Sequence, residues 1–198
     1  MHAPAASTEA ILAPSVRSGG LRDRLRTATA AAHTSLDTTF SSFDLQTRRG
    51  YRRFLKASAA ALLPVEAALA DAGIAAILSD WRQRVRSGAI VADLAALGGV
   101  ARPLPPLRRP TPAGALGALY VLEGSRLGAR HLLKRVVAST DPAMAAATCY
   151  LRHGTGLPLW PRLLAVLDAA ALTPSETDNA IGDALHVFAL FAEGAHRS

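Results

Sequence analysis

Apolar residues recur at helical spacing through most of this 198-residue chain, and no segment shows the two-residue alternation of a half-buried strand. Leu21, Leu25, Ala28, Ala32 and Leu36 form one stripe and predict a helix over about 21–37, with a turn over 40–45. A second helix is expected from Thr47 to Ala72, kinked at Pro64 and ended at Gly73. Asp80–Arg86 and Ile90–Leu97 read as two short helices split by Ser87-Gly88, with Trp81 in the core. Four prolines and two glycines make 98–110 a loop. Beyond it a long helix is expected from Thr111 to Val137, a short one from Asp141 to about Arg152, and a turn at His153–Gly156. Leu159–Ala171 follows, with Trp160 buried. The last helix starts at Thr173-Pro174 and carries Ile181, Ala184, Leu185, Phe188 and Phe191 on one face. The pattern predicts an all-α bundle over 21–198 behind a tail over 1–20 rich in Ala, Ser, Pro and Gly.

The helix over 111–137 breaks the pattern in one respect. It holds Gly114, Gly117, Gly124 and Gly128, and each interior glycine costs about 0.8–1.0 kcal/mol against alanine. At 100° per residue all four fall within an arc of about 80°. One face is therefore bare backbone. Two readings follow: a second helix approaches closely there, or a flat ligand lies against the face, with Gly124 and Gly128 bending the helix over it.

Composition narrows the class. Half of the residues are hydrophobic and 5% aromatic, which favours helices over sheets. The single cysteine, Cys149, excludes an internal disulfide framework, fits a reducing cytoplasm and reads as a buried structural thiol. The formal net charge is +7, almost all of it arginine, since only Lys56 and Lys134 are lysines. An anionic ligand or an acidic protein partner would account for it. Nucleic acid is not supported by any zinc-finger or basic-aromatic motif. No signal peptide and no membrane-spanning run is expected. Arg48, Arg49, Arg52, Arg53 and Lys56 crowd the start of the second helix, where positive charge opposes the macrodipole. They form either a solvated face or a dock for an acidic partner.

Nucleophile elbows, phosphate loops and dinucleotide fingerprints are absent. A di-iron bundle would use Asp183–His186, Glu193–His196 and inward carboxylates, of which Glu66 and Glu123 are the main candidates. Haem fits better: it needs an axial ligand, a flat apolar slot and cations for its propionates. His33 and Arg26 share one edge of the first helix, within about 20° of one line. The alternative is a half-buried histidine bonded to a backbone carbonyl, with Arg26 in water.

Leu25-Arg-Thr-Ala-Thr-Ala-Ala-Ala-His33-Thr-Ser-Leu36 resembles the proximal helix of haem oxygenases. Gly117-Ala-Leu-Tyr-Val-Leu-Glu-Gly-Ser-Arg-Leu-Gly128 resembles the distal helix of their bacterial branch, which includes enzymes found with bacteriophytochromes. Thr173-Pro174 with Ala184 and Phe188 is similar to the last core helix, so the resemblance spans about Leu21 to Ala195.

The resemblance implies a haem oxygenase-like fold with haem, at once cofactor and substrate, between the first helix and a glycine-kinked distal helix. It implies cleavage to biliverdin, carbon monoxide and ferrous iron with molecular oxygen and reducing equivalents. His33 would be the axial ligand of the iron. Arg26, Tyr120, Gly124 and Gly128 would complete the haem-binding set. Gly124, Ser125 and Gly128 would act catalytically, the glycines crowding the distal face and Ser125 joining a water network. The Arg48–Lys56 cluster would dock a ferredoxin or flavodoxin fed by its reductase, and a bacteriophytochrome would receive the biliverdin. Two departures stand out: Ala129 where the family often has a further glycine, and Leu185 near a propionate-binding lysine of the animal enzymes. The other readings are a non-enzymatic haem carrier, a di-iron oxidase and a thiaminase-like enzyme.

Overall fold

The computed structural model describes residues 19–198, so almost all of the expected tail over 1–20 lies outside the described residues. Those residues fold as eight α-helical segments without strands. They are α1 (Leu21–Ser41), α2 (Arg48–Asp71), α3 (Ser87–Ala96), α4 (Pro112–Val137), α5 (Pro142–Ala146), α6 (Cys149–Arg152), α7 (Leu159–Ala169) and α8 (Pro174–His196). The long helices begin where the sequence places caps. Thr47, Thr111 and Thr173 each accept a backbone N–H with the side-chain oxygen, and Thr173 forms a full capping box with Glu176.

Helix α8 occupies the middle and packs on α4, α2 and α1. Small residues make this possible on two sides. A Cβ at Gly117 or Gly114 of α4 would run into Ala180 or Asp183 of α8. A Cβ at Gly194 of α8 would run into the Ala57 carbonyl of α2. The core around this contact is leucine and alanine, with Leu55, Leu62, Leu119, Ala57 and Ala184 fully buried.

Pro64 does not break α2, which runs through it without interruption. Proline leaves the Ala60 carbonyl without its i+4 donor. The Leu104 N–H takes that place at 2.9 Å, and so pins the 98–110 loop against the helix.

The short elements depart from expectation for one shared reason. Asp80–Arg86 is not a helix but a 3₁₀ turn over Trp81–Gln83, and Ser87-Gly88 opens α3 instead of dividing two helices. The cause is Glu66 of α2, whose buried carboxylate accepts from the backbone N–H of Arg86 and Ser87 at 2.9 Å each. The expected 141–152 helix is split into α5 and α6 in the same way. Asp93 of α3, 2% exposed, accepts from the Cys149 and Tyr150 N–H groups and starts α6 anew. Burial holds the Asp93 carboxyl above its usual range against those two bonds. Trp81 is in the core and Trp160 is half-buried against it. Cys149 is exposed, not a buried structural thiol, because α6 begins at the surface with its backbone turned to Asp93.

Candidate functional site

The four glycines of α4 serve two different purposes. Gly114 and Gly117 are spent on the close contact with α8, as the helix-packing reading expects. Gly124 and Gly128 are not. A Cβ at Gly128 would meet nothing within 4 Å, and one at Gly124 would meet only the Trp160 ring at 3.9 Å. Between them Leu127 is 60% exposed. This part of α4 is open and apolar, and no packing demand explains its missing side chains.

The same helix face begins at Tyr120, whose ring lies 5.7 Å from that of Trp160. Burial raises the Tyr120 phenol above its ordinary value, opposed by the positive charges of Arg26 and Arg22 and by the Thr29 hydroxyl. Residues Arg22, Arg26 and Thr29 belong to α1, so α1 and α4 come within side-chain reach here. Elsewhere α1 leans on α8 and α7.

One turn beyond Thr29 stands His33. Its side chain is 64% exposed, and its ring meets Phe188 of α8 edge-on at 5.9 Å. Nδ1 lies 3.0 Å from the Asp37 carboxylate one turn on. The alternative of a half-buried histidine bonded to a backbone carbonyl is thus overturned. An imidazole whose Nδ1 is turned to a carboxylate leaves Nε2 free, the arrangement typical of metal-ligating histidines. Arg26 also faces solvent, 72% exposed, with Asp23 at 3.4 Å. No α1 side chain lies within 4 Å of a Cβ placed at Gly124 or Gly128, so the histidine and the bare helix face are not in contact.

Ser125 points elsewhere. Its hydroxyl donates to the Leu122 carbonyl at 2.7 Å and accepts from Arg86 Nη2 at 3.1 Å. Near it lies a buried ionic cluster that the helical pattern did not reveal. Arg84, with a fully buried side chain, donates to Asp80 at 2.6 and 3.0 Å, to Glu123 at 2.8 Å and to the Leu159 carbonyl at 3.0 Å. Glu123 also accepts from Arg126 at 2.9 Å, and Arg126 reaches His153 Nδ1 at 3.2 Å. Burial and the charges of Arg126 and Arg86 push the His153 imidazole below its ordinary value. The i,i+4 and i,i+3 spacings of Asp80/Arg84 and Glu123/Arg126 were visible in the sequence. Their convergence was not, because it joins a turn, α4 and α7.

Glu66 and Glu123, the inward carboxylates of a di-iron reading, are therefore committed to a helix cap and to two arginines. Among the described residues no group of three or more His, Cys, Asp or Glu is placed to hold a metal ion. The basic cluster on α2 is also largely engaged. Arg48 grips Asp141 through two bonds at 2.6 and 2.8 Å, Arg53 lies over Phe43 at 5.2 Å, and Arg52 reaches the Leu97 carbonyl at 3.4 Å.

The described residues thus form an all-helical bundle with an outward histidine on its first helix and a bare glycine face on its fourth. A family model described as heme oxygenase matches residues 20–196. A heme oxygenase of Xanthomonas campestris pv. campestris (strain 8004) is 31% identical over 142 residues, 71% of this chain and 86% of that protein. The heme oxygenase of Neisseria meningitidis, solved with NO and CO bound, superposes with a TM-score of 0.73 at 26% identity, over 90% of this chain and 91% of that one. The heme oxygenase of Leptospira interrogans shares the fold, with a TM-score of 0.68 at 16% identity over 91% of this chain and all of that one. The chain belongs to the heme oxygenase family.

Proposed function

We propose that the chain cleaves haem oxidatively to biliverdin, carbon monoxide and ferrous iron, with His33 as the axial ligand and the Gly124–Gly128 face as the distal wall. The observation that carries this reading is the pair of glycines that no neighbour requires. Haem is the substrate, and its iron supplies the oxygen chemistry when bound.

The residues present fit it. His33 offers Nε2 while Asp37 holds Nδ1. Phe188 forms an apolar edge beside the imidazole. Arg22 and Arg26, exposed beside Tyr120, supply cations for two propionates, so Leu185 need not be a lysine. The bare backbone at Gly124 and Gly128 would leave room for the planar ring to lie close against α4, where haem would supply the oxygen chemistry. Ser125, bonded to the Leu122 carbonyl and to Arg86, would act on the Gly124 face through the backbone of α4 and not through its own hydroxyl. Ala129 lies about 100° around the helix from Gly128, so its methyl group does not fill the bare face. A ferredoxin or flavodoxin with its reductase remains a fitting donor, docking on the exposed part of α2 that includes Arg49. Delivery of biliverdin to a bacteriophytochrome and a cytoplasmic location accord with the resemblance and the single cysteine.

One spectroscopic run tests the proposal. Hemin is titrated into the protein, and ascorbate is then added in air. A Soret band saturating at one haem per chain, followed by its decay and growth of a biliverdin band, is expected. His33→Ala abolishes the saturable band. Gly128→Leu keeps iron ligation and blocks or redirects turnover. A stable Soret band without decay indicates a haem carrier, and unchanged turnover in Gly128→Leu overturns the role of the bare face.

A further inference from the structure

About 160° around α4 from the glycine face lie Arg126 and Arg130. They help to wall a cavity of about 240 Å³ that opens between α4, α6 and the 153–157 loop. Arg86, Arg152 and His153 complete a rim of basic groups, and among the described residues no carboxylate lines the cavity. The carboxylates behind it are already engaged: Glu123 by Arg84 and Arg126, Glu66 by the Arg86 backbone N–H and Asp93 by that of Tyr150.

Arg86 is the least satisfied member. It is 2% exposed and lies over the Tyr150 ring at 5.1 Å. Nη2 bonds the Leu122 carbonyl and Ser125, yet no carboxylate pairs with the guanidinium, and Nε is buried without a hydrogen-bond partner among the described residues. A buried cation is normally paired, and a buried donor is normally bonded. Both deficits occur in one side chain, at the wall of a basic cavity.

We propose that this cavity binds a small oxyanion of the phosphate or sulfate class, with the unpaired Arg86 guanidinium at its inner wall and Arg130 and Arg152 as the outer clamp. Arg152 bonds Thr148 through Nε and so keeps its two terminal nitrogens for the ligand. Arg130 is exposed at the cavity rim. Occupancy fixes Arg86, and through it the Leu122–Ser125 turn of α4 on the opposite side of which Gly124 is bare. The anion is thus a support behind α4, with Trp160 between the cavity and Gly124.

The test is calorimetric titration of the haem-free full chain with inorganic phosphate at low ionic strength, where screening is weak. Saturation at one phosphate per chain is expected, with sulfate competing and sodium chloride at matched ionic strength not abolishing it. Arg130→Gln and Arg152→Gln, both surface changes that keep the fold, each weaken binding by about tenfold. Phosphate also moves the His153 imidazole, followed by NMR, to a higher titration point. That group is faced by Arg126, Arg86 and Glu123, and an added anion offsets the two guanidinium charges. No saturable heat, binding indifferent to both substitutions, or an equal effect of sodium chloride overturns the site. These readouts are taken on the haem-free protein, so failure of the anion site leaves the haem proposal standing, and failure of haem turnover leaves the anion site standing.

Discussion

Replacing Gly124 and Gly128 together by alanine separates the two demands made on α4. Neither new methyl group meets an obstacle, since the nearest atom is a Trp160 ring carbon at 3.9 Å. Each substitution relieves the helix of about 0.8–1.0 kcal/mol, so the haem-free double variant is expected to be more stable by about 1.6–2 kcal/mol. For a domain of this size that corresponds to a rise in Tm of roughly 3–8 °C. Gly117→Ala is the control. Its methyl group would strike the Ala180 carbonyl, a backbone atom of the helix at the centre of the fold. Overpacking of about 1–3 kcal/mol or more then exceeds the helix-propensity gain, and the variant is less stable. Urea unfolding of the haem-free proteins, followed by far-ultraviolet circular dichroism, gives both signs. Haem turnover with ascorbate gives the counterpart, and a fall of about 10–100-fold is expected in the double variant, where the wall has moved by a methyl group. A double variant no more stable than the parent, or a stabilised Gly117→Ala, refutes the division of the glycine stripe. A stabilised double variant with undiminished turnover refutes the functional half alone.

Three further outcomes follow from the buried polar groups. Glu123→Leu leaves Arg84 and Arg126 buried with one carboxylate between them, and costs about 3–5 kcal/mol in urea unfolding. A loss under about 1 kcal/mol would show that the cluster is not a stabilising centre. His153 is depressed by burial and by two arginines, so the neutral form is favoured in the fold and the unfolded chain binds the extra proton. Its contribution is complete above the ordinary value of 6.5 and is lost as pH falls through the depressed value, so Tm declines with acidification over that window and His153→Gln flattens the decline. Cys149 is exposed, and the negative charge of Asp93 raises its thiol. Native protein is therefore alkylated to completion by N-ethylmaleimide, slowly at neutral pH and faster in Asp93→Asn; protection until unfolding would contradict the exposed placement.

Local chemistry in the sequence determined where the long helices begin and end. Thr111-Pro112 and Thr173-Pro174-Ser-Glu176 carry their own caps, and the leucine and alanine stripes face the core as their spacing predicts. The first helix runs a turn past Asp37, because nothing in Thr38–Ser41 forbids it and Phe40 packs on Phe43 and Phe54. His33 and the glycines were equally legible as residues that a simple helix would not choose. Their assignment to a haem site came from resemblance, since wheel geometry alone left the glycine stripe open between packing and ligand. Tertiary structure divided the stripe, giving Gly114 and Gly117 to α8 and leaving Gly124 and Gly128 bare.

The short elements show the opposite case. Glu66 starts α3 and Asp93 starts α6 from distances of about 20 and 57 residues along the chain. Arg84 draws Asp80, Glu123 and Leu159 into one buried cluster, and Arg86 lies between the Tyr150 ring and the α4 backbone. A helical period records which side of a helix is apolar, and a cap records its own neighbours three residues away. Neither contains the partner of a charge that is buried only after the helices have met, so the ionic cluster and the basic cavity behind the distal helix exist only in the folded chain.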